Sequence, residues 1–207
     1  KLSGQTLDVF LKSKIFDPLG MTDTGFWVDA GKADRVTKLH TYGDDKKIKT
    51  APTQADPTRK PVFLSGGGGL LSTAGDYLKF AQMVLNGGQS NGKRFLKAST
   101  VELMRTNVLA DGVKVDLYGP SFNVDGIGFG LDFAIILDPA KANTPEGKGS
   151  FYWGGAFGTW FWLDPANDML VVGMIQNVDG SRPDRGSPQV RPLSRKLVYA
   201  ALVDPSK

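Results

Sequence analysis

Four consecutive residues, Trp153-Gly154-Gly155-Ala156, set a broad apolar side chain and two glycines into a stretch that otherwise reads as β-strand. Glycine suits a strand interior poorly, because it loses backbone entropy and offers no side chain to pack. A glycine pair there implies that some group must come close to the backbone, so the step is a candidate ligand site. The competing account is a β-bulge or a closely packed strand. Residues 151–176 read as two strands joined by a short turn, with the step inside the first.

Other patterns carry weaker chemistry. Gly88-Gln89-Ser90-Asn91-Gly92 fits Gly-x-Ser-x-Gly, and Ser90 with Lys93 fits Ser-x-x-Lys. The first needs a strand before the serine and a helix after it; the second needs a helix start, so that Ser and Lys share a face. Here a helix precedes and glycines surround, so a loop between helices is the better account. The glycine run 66–69 has no Gly-Lys-Ser/Thr after it, which leaves tight backbone packing before a helix. Gly126-x-Gly128-x-Gly130 opens no helix and reads as a strand with glycine on one face, lying against something bulky. His40 is the lone histidine, which makes a Ser-His-Asp triad an unsuitable engine; a Lys or Tyr base would have to serve.

The 207-residue chain is 41% hydrophobic and 22% charged, an ordinary globular composition with room for one good core. No apolar run approaches the ~18 residues of a membrane-spanning helix. No secretory leader pattern is visible, which says little because the N-terminus looks incomplete. The absence of cysteine excludes disulfides, iron–sulfur clusters and a thiol nucleophile, and leaves the compartment open. With one histidine, no zinc site is expected, and no cofactor is implied. Net charge is +4, part of it in Arg182, Arg185, Arg191, Arg195 and Lys196. These lie in a loop and a terminal helix without interleaved aromatics, so they read as solvated surface and not as a nucleic-acid face.

The elements that must position the step follow from spacing. Residues 1–4 look like the last turn of a helix closed by Gly4. Leu7, Phe10, Leu11 and Ile15 repeat at helical spacing, with a stop at Asp17-Pro18-Leu19-Gly20. Residues 25–61 are polar and proline-bearing, a long excursion with short strands near 36–42 and 46–49. Ser72-Thr73 opens the clearest helix, where Thr73 and Asp76 resemble a capping box and Tyr77, Phe80, Ala81, Val84 and Leu85 form one face. A second helix is expected over 99–105, one strand over 126–137, and an amphipathic helix over 191–202. The fold class is therefore α+β, an antiparallel sheet flanked by helices.

Four segments in order resemble the C-terminal part of the serine β-lactamase-like superfamily: Ile15-Phe-Asp-Pro-Leu-Gly-Met-Thr-Asp-Thr24, Ser65-Gly-Gly-Gly-Gly-Leu-Leu-Ser-Thr-Ala-Gly-Asp-Tyr77, Phe80 to Gly88, and Tyr152-Trp-Gly-Gly-Ala-Phe-Gly158 with Trp162-Leu-Asp-Pro165. That superfamily holds class C β-lactamases, penicillin-binding proteins, D-aminopeptidases and family VIII carboxylesterases, to which the Trp-Gly-Gly variant is most similar. The resemblance implies a β-lactamase/transpeptidase-like fold that is incomplete at the N-terminus. Residues 1–24 would end the helical subdomain, 25–64 would be a loop-rich excursion, and 65–207 would carry the helices, antiparallel strands and last helix of the α/β subdomain.

By the same resemblance Trp153-Gly154-Gly155 stands where β-lactamases carry Lys-Thr-Gly, and the Ala156 backbone N–H is one of two oxyanion-hole donors. Tryptophan in place of lysine removes the cation that would hold a β-lactam carboxylate, and this favours a neutral ester. The family's Ser-x-x-Lys and Tyr-x-Asn/Ser elements have no match; Tyr42, Tyr118 and Tyr152 sit in no fitting motif. The expected function is the C-terminal part of a serine hydrolase that cleaves esters through an acyl-enzyme, with Ser and Lys supplied by an N-terminal segment as a separate chain. The alternatives are a β-lactamase or D-aminopeptidase-type amide hydrolase, or a non-catalytic penicillin-binding-like module. A small-molecule ester or amide is the expected ligand, with no nucleic acid and no membrane span. Without its partner the chain is expected to expose an apolar sheet edge and to be unstable.

Overall fold

Apolar spacing from Leu7 starts α1 (Leu7–Leu11), which passes through a π-helical turn (Lys12–Phe16) into α2 (Asp17–Leu19). Proline does not stop this run at position 18. It follows closely on the π-helical turn, inside a helical run that is continuous from Leu7 to Leu19. The stop falls at Gly20, whose φ of 68° reverses the chain. The computed structural model describes residues 2–52, 55–110, 112–113, 125–180, 182, 184 and 186–202; Lys1, Tyr118 and Arg185 lie outside them. Two compact units are present, one of residues 1–80, 155–159 and 174–188, the other of residues 81–154, 160–173 and 189–207.

In the first unit Phe16, Leu19, Met21 and Phe26 are buried. The excursion contains a 3-10 helix (Ala30–Arg35) and a short hairpin, β1 (His40–Tyr42) against β2 (Ile48–Thr50), both shorter than their spacing suggests. β1 is tied to the segment 176–179. The His40 N–H donates to the Gln176 carbonyl at 2.9 Å, and the Asp179 carboxylate accepts from the Thr41 hydroxyl and the Tyr42 N–H at 2.6 and 2.9 Å.

Helix α3 (Ala74–Leu85) begins in the first unit and ends in the second. Thr73 caps it, accepting from the Asp76 N–H at 3.2 Å. The return half of the capping box is missing. The Asp76 carboxylate instead accepts from the Asp23 N–H and the Thr24 hydroxyl, at 2.7 and 3.0 Å, so it fastens the segment after α2 to the start of α3. The positive φ of Gly87 and Gly88 ends the helix as expected.

The second unit is organised by a five-stranded antiparallel sheet in the order β5-β6-β7-β8-β9. Its strands are β5 (Ile127–Phe129), β6 (Ala134–Ile136), β7 (Phe151–Gly154), β8 (Trp160–Asp164) and β9 (Met169–Gly173). The single strand expected over 126–137 is thus a hairpin, turned at Asp132 with φ 68°; aspartate tolerates this left-handed conformation better than most residues. Gly128 lies against the side chains of Asn107 and Leu137, whereas Gly130 lies against backbone, the carbonyls of Met104 and Thr106. Around the sheet lie a two-residue hairpin of β3 (Gln89–Ser90) and β4 (Lys93–Arg94), α4 (Ala98–Met104), α5 (Pro139–Ala142) and α6 (Val190–Ala200).

Alternation along the strands gives the sheet two apolar faces. Ala134, Ile136, Tyr152 and Trp162 form a buried cluster with Tyr199 of α6. On the other face Phe133 meets Phe151 and Phe161 at ring distances of 5.1 and 5.9 Å. The guanidinium of Arg195 lies 4.3 Å over the Tyr152 ring and pairs with Glu146, which is only 1% exposed, at 2.7 Å.

Asp164, at the end of β8, is fully buried. It accepts from the Tyr199 hydroxyl at 2.5 Å, the Gly147 N–H at 3.0 Å, and the backbone and side chain of Asn167. Burial pushes this carboxyl up, but the Tyr199, Gly147 and Asn167 hydrogen bonds together outweigh it and hold it below the ordinary carboxylate value. The unfolded chain therefore takes up the proton more readily. The stabilisation is fully present above the unfolded value near ~4 and is lost as pH falls through the lower folded value. Tyr199→Phe should cost ~1.5–3 kcal/mol at pH 7, the range for a hydrogen bond to a charged group, and move acid unfolding to higher pH. Urea melts across pH 3 to 7 check both; an unmoved acid limb in Y199F would remove Tyr199 from this role.

Candidate active-site strand and turn

The backbone at the Trp153 step departs from the expected long strand. β7 ends at Gly154, and residues 155–159 form a turn that returns the chain into β8. The Gly155 N–H donates to the Thr159 carbonyl at 2.7 Å, and the Gly158 N–H to the Gly155 carbonyl at 3.1 Å. Buried Gly158 adopts φ 99°, a conformation open to glycine and strained for other residues. The Phe157 carbonyl accepts from the Asn177 N–H at 2.8 Å, which anchors the outside of the turn. The step is therefore a strand end plus a braced turn. One expected strand has become two because Gly155 and Gly158 permit a reversal that alternation alone does not reveal.

Each glycine of the pair has its own reason, and both lie within the protein. A methyl group on Gly154 would stand 2.8–3.2 Å from the guanidinium of Arg191. One on Gly155 would collide with the Thr159 hydroxyl. The groups that come close to this backbone are thus Arg191 and Thr159. Burial, and then the neighbouring Arg195, hold the Arg191 guanidinium below the usual arginine value. Arg191 and Arg195 are half-buried and therefore not the solvated surface charges their position suggests. Lys196 and Arg182 are exposed, and Arg182 pairs with Asp184 at 2.9 Å.

Two groups at the step face outward or remain chemically open. Ala156 is exposed, and its N–H donates no hydrogen bond among the described residues. Trp153 is half-buried, its ring edge-on to Phe129 with centroids 5.2 Å apart. An N–H without an internal hydrogen bond, on an exposed residue of a braced turn, is a ready donor for a carbonyl oxygen that gains negative charge, because no reorganisation is needed when the charge develops.

The other motifs are placed outside any such arrangement. Ser90 and Lys93 are opposed residues of the β3–β4 hairpin, joined through Asn91 and Gly92 at φ 47° and 74°. The expected inter-helix loop is thus a two-residue hairpin, and no helical face brings Ser90 and Lys93 together. Within the run 66–69 only Gly69 is crowded, by the Ser65 carbonyl and the Phe26 ring. His40 contributes backbone groups to the β1 bridge. Tyr152 is buried under Arg195, and burial pushes its hydroxyl up although Arg195 works against that shift. A cavity of about 630 Å³ in the second unit, lined by Ile127, Tyr152, Arg195 and Tyr199 among others, includes none of the four step residues. Among the described residues no cluster could hold a metal ion, and no helix is long and apolar enough to cross a membrane.

Comparison with known proteins adds the lineage. The family profile described as Beta-lactamase matches residues 1–192. Protein Rv1367c of Mycobacterium tuberculosis is 36% identical over 192 residues, covering 88% of this chain and 48% of the relative. Esterase EstB of Burkholderia gladioli is 28% identical over 189 residues, covering 83% and 44% respectively. Among solved structures, EstCE1, a hydrolase with promiscuous acyltransferase activity, superposes with a TM-score of 0.75 at 22% identity. It covers 96% of this chain and 52% of its own. This chain spans about half the length of the relatives it matches.

Proposed function

The chain belongs to the beta-lactamase family, and from that premise we propose that it is the C-terminal part of a serine hydrolase that cleaves carboxylic esters through an acyl-enzyme. The observation that supports this reading is the exposed Ala156, whose N–H donates no hydrogen bond among the described residues, on a turn braced at Gly155 and Thr159. In the proposal this N–H is one of two oxyanion donors, and Trp153 is the apolar wall beside the acyl or alcohol group. Gly154 and Gly155 let Arg191 and Thr159 close onto the strand end, so that it stands still while charge develops.

The nucleophilic serine and its lysine would come from the N-terminal segment, in the half of the relatives' length that this chain does not span. The serine oxygen would attack the ester carbonyl as lysine takes its proton. The alcohol would leave with a proton, and water would then release the acid. Tryptophan at 153 offers no charge to an anionic lactam, which places neutral esters before β-lactams. The relative named Esterase EstB supports the same order.

The test is the full-length natural protein with p-nitrophenyl butyrate. A burst of p-nitrophenol, and loss of turnover on labelling with a serine-directed phosphonate, are the expected results. A folded protein that shows neither, and that hydrolyses an amide or binds a peptidoglycan peptide without turnover, would overturn the ester reading. Intact mass of the natural protein decides whether the N-terminal segment is a separate chain.

A further inference from the structure

A donor that must be preorganised follows directly after the least constrained residue type. The peptide that carries the Ala156 N–H begins at Gly155, and its direction is set by the ψ torsion of that glycine. Glycine has the widest torsional freedom of any residue. Left alone, it would make the donor swing. The Gly158 N–H limits the swing by donating to the carbonyl of that same peptide, that of Gly155, at 3.1 Å, and further contacts come from Thr159. Its carbonyl accepts the Gly155 N–H at 2.7 Å, and its hydroxyl occupies the place where a side chain on residue 155 would project. The Thr159 Cβ stands 3.7 Å from that place, so it is the hydroxyl oxygen and not the branched carbon that touches.

We propose that Thr159 is a positioning residue for the Ala156 donor: its hydroxyl, seated against Gly155, fixes the plane of the Gly155–Ala156 peptide jointly with the Gly158 N–H bond to the Gly155 carbonyl. The inference rests on the reading of Ala156 as an oxyanion donor. The backbone pair alone closes the turn, since any residue at 159 supplies a carbonyl. The side chain adds aim. Threonine suits the task because its two Cβ substituents stiffen χ1 and hold the hydroxyl at one angle. An oxygen also fits where a methyl group, which is wider by several tenths of an ångström, would push the glycine away. The same contact accounts for glycine at 155, because any side chain there would displace the hydroxyl that does the aiming.

The experiment uses the full-length protein as wild type, T159V, T159A and T159S. Turnover of p-nitrophenyl butyrate is measured together with the amide resonance of Ala156 in a 15N–1H spectrum. T159V keeps the branched shape and replaces the oxygen by a methyl group; T159S keeps the oxygen and drops the methyl. Misaimed catalytic groups cost up to ~10²-fold, so kcat should fall about 10- to 100-fold in T159V and T159A, with KM within about two-fold and T159S within about three-fold of wild type. The Ala156 resonance should move in T159V and T159A and return in T159S. A merely structural role would lower the melting temperature without this split between kcat and KM.

A T159S loss as large as that of T159V, or T159V turnover equal to wild type, would overturn the proposal. Should T159V not fold, the contrast between T159A and T159S decides in its place. A wild type inactive on esters would count against the ester reading alone. The Ala156 resonance then judges Thr159, and an unmoved resonance in T159V and T159A overturns it.

Discussion

Ala156→Pro in the full-length protein is expected to lower kcat for p-nitrophenyl butyrate by ~10²–10³-fold, the range for losing one oxyanion-hole donor. Proline removes the backbone N–H and leaves the chain otherwise continuous. Ala156 is not among the residues with positive φ, so the ring has no left-handed backbone to fight. The residue before it is glycine, the type least restricted by a following proline. Because Ala156 is exposed and its N–H makes no hydrogen bond among the described residues, the substitution breaks no pairing there. Ala156→Gly keeps the N–H and serves as the control, with kcat within about ten-fold of wild type, the deficit coming from added torsional freedom. KM should change little in either, since the interaction strengthens only as charge develops. A folded A156P enzyme, verified by its melting profile, that turns over within three-fold of wild type would take the donor away from Ala156.

Much of the scaffold that holds this donor is legible in the sequence, and the exceptions share a cause. The helix over 74–85 announces itself through its cap and its apolar spacing, and the helix ending at 200 through the same period. What escapes is decided by partners far along the chain. Asp76 looks like half of a capping box, yet its carboxylate is drawn to Asp23 and Thr24, more than fifty residues upstream. Pro18 reads as a stop, yet the helical run passes through it just after a π-helical turn that the apolar spacing does not announce. Residues 126–137 read as one strand because apolar residues continue through the turn at Asp132.

The step itself shows the same division. That two adjacent glycines imply a close approach is correct physics applied to a local pattern. The pattern does not say who approaches. Thr159 is near enough in sequence to be suspected once a turn is assumed at 155–159. Arg191 comes from a helix well beyond the sheet strands, and nothing in the local sequence points to it. The apolar alternation that made residues 151–162 look like one strand survives the reversal, because β7 and β8 are both strands.

Trp162→Ala should be the most destabilising of the substitutions considered, at ~3–5 kcal/mol for truncating a buried aromatic. Trp162 has no exposed surface. Its ring stacks on Tyr199 with centroids 6.5 Å apart and a 24° tilt, and the Arg195 guanidinium lies 5.9 Å away. The residue therefore joins the middle of the sheet to α6, with Tyr152 opposite it on β7 and Val171 opposite it on β9. Removing the indole opens a cavity bounded by strands paired on both sides, which cannot collapse without breaking register. The loss should accordingly sit at the upper end of the range, against a total stability of only ~5–15 kcal/mol for a typical domain. Trp162→Phe keeps a ring in the stack and should cost about half as much or less. Urea melts of the full-length variants read both values from the midpoint at constant slope. A W162A midpoint within 1 kcal/mol of wild type would mean that the cluster joining α6 to the sheet contributes little.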